Sequence, residues 1–281
     1  ANSELFKEGY DEALHENTCQ IGLCDLISVS LGISKRGDVM KRLFLAITKG
    51  EEIRFLGHLD YLRTMERVVV RSGIPIAFSE GFNPHMKISL DSALAVGVTA
   101  DPLYMEIKLE KDMPIEEVKE RMQREMPKGM TIYHIEEAAQ EWPKFVAFFN
   151  EDAYEMEGPV TEGADAEAAK EAIARFNALP SFIYQRVTPK KVREMDVKPM
   201  IMEPMKVRIE GERAYLTFSL IRSNTGTVQP KDVWKMLAES FGLPWTPDAF
   251  ICSRTGTYRK EAGERKTPFD PGVFDAWVKK K

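Results

Sequence analysis

The stretch Phe78-Ser-Glu-Gly-Phe-Asn-Pro-His-Met-Lys-Ile-Ser-Leu90 sets a carboxylate, an aromatic ring, an amide, an imidazole and an amine within a few positions of one another. Gly81 takes positive φ at no steric cost, and Pro84 fixes its own φ while biasing Asn83 away from helix. Gly81 to Pro84 therefore reads as a loop. From His85 onward the pattern alternates: His85, Lys87 and Ser89 fall on one side of a strand, Met86, Ile88 and Leu90 on the other. The plain reading is a turn leading into a half-buried strand. The chemical reading is a site in which His85 exchanges protons while Glu80, Gly81, Phe82, Asn83 and Lys87 hold a substrate.

A second imidazole, His58, stands in Arg54-Phe-Leu-Gly-His-Leu-Asp60, where a helix begins. Asp60, in the first turn, is either stabilised there by the helix dipole or belongs to the same site. A helix laid beside a strand edge would carry His58 to the Gly81 loop, so the two histidines are expected to face one hollow and act together. The same helix carries Arg63, Arg67 and Arg71 at intervals of four, a basic stripe that Glu66 partly offsets.

Further along, Lys190 and Lys191 lie in a Thr-Pro-Lys-Lys turn, and Arg222 opens a Ser-Asn-Thr-Gly loop. Arg254-Thr-Gly-Thr-Tyr258 runs into Arg259 and Lys260. Arginine for phosphates and tyrosine for base stacking is the combination that single-stranded nucleic acid asks for, and small polar loops offer N–H groups to anions. Lys190, Lys191, Arg222, Arg254 and Tyr258 are expected to contact such a ligand. Cys19 and Cys24 are either ordinary thiols or half of a metal site, because two thiolates fall short of a closed zinc tetrahedron. Signatures for nucleotide-binding loops, zinc proteases, serine hydrolases and a three-cysteine iron–sulfur cluster are absent.

The elements that must position these groups follow from periodicity. A strand over Arg42 to Thr48 precedes a helix over Gly57 to Ser72, with Leu59, Leu62, Met65 and Val69 inward and Gly73 as its stop. Strands over Ile74–Phe78 (resuming at Met86–Leu90) and Tyr104–Leu109, a helix over Pro114–Met126 and a strand over Met130–Ile135 complete β-α-β-β-α-β, the ferredoxin-like order. The second half repeats that order. It has a strand at Phe145–Phe149, an acidic loop over Glu155–Gly163 and a helix over Asp165–Leu179 buried through Ala168, Ala172, Ile173 and Phe176. Strands at Phe182–Val187, Met205–Ile209 and Ala214–Leu220, a helix over Pro230–Phe241 and a strand at Phe250–Ser253 follow. The expectation is an α/β (α+β) chain with two tandem ferredoxin-like domains, 40–143 and 144–260. An N-terminal segment, 1–39, precedes them, and a charged tail, 261–281, carries Phe274 and Trp277 for docking.

Composition bounds the function. The chain has 281 residues, 39 Lys+Arg against 44 Asp+Glu, and three cysteines, which argues against a wholly basic nucleic-acid binder and against a disulfide framework. No apolar run approaches the ~20 residues of a membrane span, and the start lacks a signal peptide's order, so the cytoplasm is the expected compartment. The chain opens on Ala1 and Met40 would start a free-standing domain, so a fragment of a longer protein is expected.

At Arg54-Phe-Leu-Gly-His-Leu-Asp60, Phe78-Ser-Glu-Gly-Phe-Asn-Pro-His85 and Lys87-Ile-Ser, with Gly97-Val98 and Arg254-Thr-Gly-x-Tyr258, the chain resembles the radical-SAM-linked family. These are uncharacterised bacterial domains encoded beside a radical SAM protein or fused to its C-terminus. The resemblance covers roughly residues 40 to 260; where the family commonly has proline after the histidine, this chain has Met86. It implies that residues 1–38 are the tail of a radical SAM module and that the working partner is that enzyme. S-adenosylmethionine and the iron–sulfur cluster would then lie on the partner, with no cofactor in this chain. Family members tend to lie near ribosome and RNA-processing genes, which implies RNA as substrate. Two alternatives stand beside this one: a metal-independent RNA endonuclease of tandem ferredoxin-like type, and a protein scaffold for the radical SAM module without RNA affinity.

Overall fold

β1 (Lys41–Lys49) alternates Leu43, Leu45 and Ile47 on one side with Phe44 and Ala46 on the other, and all five are buried. A strand apolar on both faces needs cover on both, and this one has it. The computed structural model describes residues 40–140, 142–188, 191–223 and 226–280. The readings that fall on Leu5–Leu14, Cys19, Cys24, residues 34–38 and Lys190 lie outside the described residues.

After β1 come α1 (His58–Ser72), β2 (Ile88–Leu90), β3 (Val98–Leu109), α2 (Ile115–Glu125) and β4 (Ile132–Ala138). Gly57 precedes α1, and Gly73, in the left-handed conformation that glycine tolerates best, ends it. The packed face of α1 is Tyr61, Met65, Val68, Val69 and Ser72, so Leu59, expected inward, is exposed. Residues 74–78 do not form a continuous strand. They make isolated bridges at Ile76 and Phe78, and the loop carrying Gly81 hangs between Phe78 and its partner Met86.

In the second half the expected boundaries move. Phe145–Phe148 is a 3-10 turn whose phenyl rings plug the core, and the strand lies beyond it as β5 (Glu151–Pro159), across most of the supposed acidic loop. Its carboxylates survive in a strand because alternation sends Glu155 and Glu157 to the side that carries Arg208 and Arg213. Asp165 caps α3 (Ala166–Ala178), accepting from the Glu167 and Ala168 amides, and Ala169 rather than Ala168 is buried. β6 (Ile183–Thr188) and β7 (Lys191–Asp196) form a separate hairpin, where only β6 was expected. β8 (Ile201–Glu210), β9 (Arg213–Ile221), α4 (Pro230–Phe241) and β10 (Ile251–Glu261) complete the half.

The strands join one nine-stranded sheet in the order β4-β1-β3-β10-β5-β9-β8, with β2 on β3 and β11 (Glu264–Lys266) on β10. All its pairings are antiparallel except β10 with β3. The fold is thus mixed α+β, with a large, mostly antiparallel sheet and five helices among the described residues. α1 and α2 cover one face of the first half through Leu43, Met65, Val118 and Met122, and α3 and α4 cover the second through Met156, Phe176, Leu216 and Trp234. The segment after residue 260, expected as a tail, folds back. Phe274 and Trp277 of α5 (Val273–Val278) pack on Phe44, Phe145 and Phe148. Burial of those rings gives this short helix the stability its six residues lack alone.

Candidate functional site

The outer face of α1 and the Gly81 loop meet at Met86. A shallow groove there is lined by Met86 together with Arg63, Glu66, Arg67, Val70 and Arg71. Arg63 pairs with Asp60 at 3.5 Å and Arg71 with Glu125 at 3.6 Å, whereas Arg67 has no ion pair among the described residues. The loop above it is polar and open. Glu80, Gly81, Phe82, Asn83 and His85 are exposed, and Phe82 is 106% exposed. The Ser79 hydroxyl accepts from the His85 amide at 2.9 Å, Gly81 sits at φ +122°, and Lys87 is half-buried beside Met40. Met86, Ile88 and Leu90 do turn to the core as the alternation requires.

His58 is elsewhere. It is half-buried in a narrow recess at the start of α1, walled by Lys49, Tyr61, Leu90, Ser92, Leu94 and Leu103, none from the Gly81 loop. β2 separates the two imidazoles: His58 stands beyond its Leu90 end, and His85 three residues before its other end. The structure therefore brings Glu80, Phe82, Asn83 and His85 together on one loop, and places His58 in a different setting. Asp60 lies on the exposed face of the first turn.

The recess backs onto a buried polar centre. Across the sheet, Ala100 of β3 is paired on one side with Lys49 of β1 and on the other with Arg254 of β10. Residues in one such row share a face, so the two cations flank a methyl group. Lys49 is 2% exposed, and its Nζ has no hydrogen-bond partner among the described residues. Burial, and then the nearby Arg254 charge, bring its pKa down to about 8. Arg254, 1% exposed, is an interior strand residue rather than part of a surface loop. It pairs with Asp91 at 3.2 Å, donates to the Pro102 carbonyl at 3.2 Å and bonds the Ser92 hydroxyl, while its Nε lacks a partner among the described residues. Arg222 donates to Asp91 at 3.0 Å and to both Asp152 oxygens at 2.6 and 3.1 Å, with Phe149 beneath it. Burial favours the neutral form of Asp152, yet Arg222 and Arg254 hold its carboxyl below the usual range.

Arg222 and Arg254 thus spend their donors inside the protein, tying the loop after β2 to β5, β9 and β10. Tyr258 is half-buried on β10 with Arg265 stacked 5.1 Å above its ring. Lys191 opens β7, in the hairpin apart from the main sheet. The sequence reading missed Lys49, Asp91 and Asp152. Lys49 did carry a signal: it continues the inward phase of Leu43, Leu45 and Ile47, where a lysine is out of place. Asp91 and Asp152 carried none, since a lone aspartate after a strand or at its start is ordinary. Among the described residues no three of His, Cys, Asp and Glu are grouped to hold a metal, and no helix is long and apolar enough to cross a membrane.

A family profile described as an uncharacterized protein conserved in bacteria (DUF2344) matches residues 42–230. That description names no activity and no partner. No curated protein matches. Among solved structures, one titled as a Cbf5-Nop10-Gar1 complex is similar at 9% identity and a TM-score of 0.43, covering 77% of this chain and 48% of that one. The chain thus spans about half the length of that structure. A second, an unknown protein from Galdieria sulphuraria, is similar at 10% identity and a TM-score of 0.25, covering 76% of this chain and 96% of that one.

Proposed function

We propose that this chain, which belongs to the bacterial family DUF2344, is the substrate-binding half of a radical SAM system acting in the cytoplasm, and that its substrate is single-stranded RNA. The observation that carries the reading is Phe82, a phenyl ring held fully in solvent on a loop rooted at the arginine face of α1. Exposed aromatic rings beside arginines bind single strands by stacking bases and neutralising phosphates. The open sheet face of the second half is a poorer platform, because Arg208, Arg213, Lys260 and Arg265 already pair with Glu210, Glu157, Glu203 and Glu151.

On this reading Glu80, Asn83, His85 and Lys87 contact the base or sugar beside Phe82, and Lys190 and Lys191 are proposed as phosphate contacts on sequence grounds alone. The strand orders β4-β1-β3-β2 and β10-β5-β9-β8 support taking each half as a ferredoxin-like unit, with the β6–β7 hairpin inserted in the second. The radical SAM partnership rests on the motif resemblance alone. The partner would carry the S-adenosylmethionine and iron–sulfur cluster, and this chain would present the RNA.

Titration of a labelled single-stranded RNA at several salt concentrations tests the proposal. Phe82→Ala is expected to weaken binding roughly 5- to 150-fold, from about 1–3 kcal/mol per stacked base. Arg67→Ala should instead lower the salt slope by about 1. Binding that ignores both variants overturns the assignment, and cleavage in chelator that is lost in His85→Ala would mark the chain as a nuclease.

A further inference from the structure

RNA on the outer face of α1 leaves the recess at its start unused, and the charge beside that recess does not balance. The buried polar centre sets three cations, Lys49, Arg222 and Arg254, against two carboxylates, Asp91 and Asp152. Both carboxylates pair with the arginines, at 2.6 to 3.7 Å, whereas Lys49 makes no ion pair among the described residues. The like charge of Arg254 acts on Lys49, whose Nζ is buried with no hydrogen-bond partner among the described residues. An ammonium held in this way costs stability until an anion joins it.

Size and lining narrow what the anion is. The recess has room for about one water molecule, which excludes a carboxylic acid or a phosphate and leaves an ion of a single atom. None of the residues lining it is acidic. Two of the protons there are already spent: the Tyr61 hydroxyl donates to the Thr48 carbonyl at 3.1 Å, and the Ser92 hydroxyl donates to Asp91 at 3.5 Å. The remaining donors of the lining are the Lys49 ammonium and the His58 ring, which carries an N–H in either tautomer. A water molecule in the recess would accept a bond from Lys49 but leave its charge unmatched. Leu90, Leu94 and Leu103 make up the rest of the wall, and in such apolar surroundings an ion pair is attracted far more strongly than in water. We propose that this recess binds a monovalent halide ion, with Lys49 as its counter-ion and His58 as its second donor. The ion would join β1 to the start of α1.

The test uses chloride as the probe on the full chain, with gluconate, which is too large to enter, at equal ionic strength to remove the effect of screening. Chloride at tenfold excess over its Kd is expected to raise the melting temperature by roughly 3 to 6 °C above the gluconate value. Sulfate, polyatomic and larger, should give no such rise. The chloride NMR line should broaden in the presence of the protein. Lys49→Met keeps the stem and removes the ammonium, and should abolish both the rise and the broadening. The proposal is overturned by equal melting temperatures in chloride and gluconate, by a rise that persists in Lys49→Met, or by an equal rise in sulfate. None of these readings involves RNA, so the two proposals fail separately.

Discussion

Asp91→Ala is expected to lower the stability of the protein by about 3–5 kcal/mol, the cost of stripping the partner from buried charges. The side chain of Asp91 is fully buried, accepts from Arg222 at 3.0 Å and pairs with Arg254 at 3.2 Å. It also accepts from the Tyr104 amide at 3.1 Å. Alanine leaves two guanidinium groups facing each other in a low-dielectric interior, with Asp152 alone to serve both. The same carboxylate ties the loop after β2 to β9 and β10, so its loss loosens the seam between the halves as well as the local bonds. Urea unfolding should show a lower midpoint, whereas Asp60→Ala, which removes a solvent-exposed pair, should leave the midpoint where it was. Equal effects from the two variants would refute the network. Asp152 adds an acid dependence. Its pKa lies below the unfolded value, so its contribution is complete above about pH 4 and is lost as pH falls through the lower folded value.

Lys49→Met should act in the opposite direction and stabilise the protein, by about 3 kcal/mol at pH 7. Burial first, and Arg254 second, take the Lys49 pKa from 10.5 to about 8. A base whose folded pKa is depressed costs stability when it must be protonated. That cost is absent above the unfolded value, grows as pH falls through the window from 10.5 to about 8, and is complete below it. Methionine fills the same stem volume without the charge. Paired urea titrations at pH 7 and above pH 10.5 should therefore show the advantage of the variant only at the lower pH. A constant difference, or a variant less stable at pH 7, would mean that Lys49 has a partner in solution. A lysine kept at such a cost is a frequent mark of a functional position, because stability alone would have replaced it.

Much of the architecture was legible in local patterns. Period 3.6 with a glycine stop marks α1, and Pro230 to Phe241 bounds α4 to the residue. The turn between Glu210 and Arg213 and the loop at Gly81 follow from residues that need nothing beyond their neighbours. Boundaries failed where a distant partner decided the outcome. Glu155 and Glu157 read as loop until Arg208 and Arg213, on β8 and β9, give their strand face a complement. The basic run from Arg254 to Lys260 read as surface loop, although all of it lies within β10.

The site divides in the same way. The sequence by itself determined that the residues around Gly81 form a polar loop with an aromatic in it, because backbone preference acts over a few residues; that the loop stands open to solvent was decided by the fold. Only the tertiary structure decided that Arg254 and Arg222 turn inward to Asp91, 163 and 131 positions away along the chain. Only it decided that Lys49 and Arg254 flank Ala100, and that His58 and His85 stand at opposite ends of β2. An ion pair across such separations is set by which strands become neighbours, and strand order is a property of the whole sheet that no short window of residues encodes.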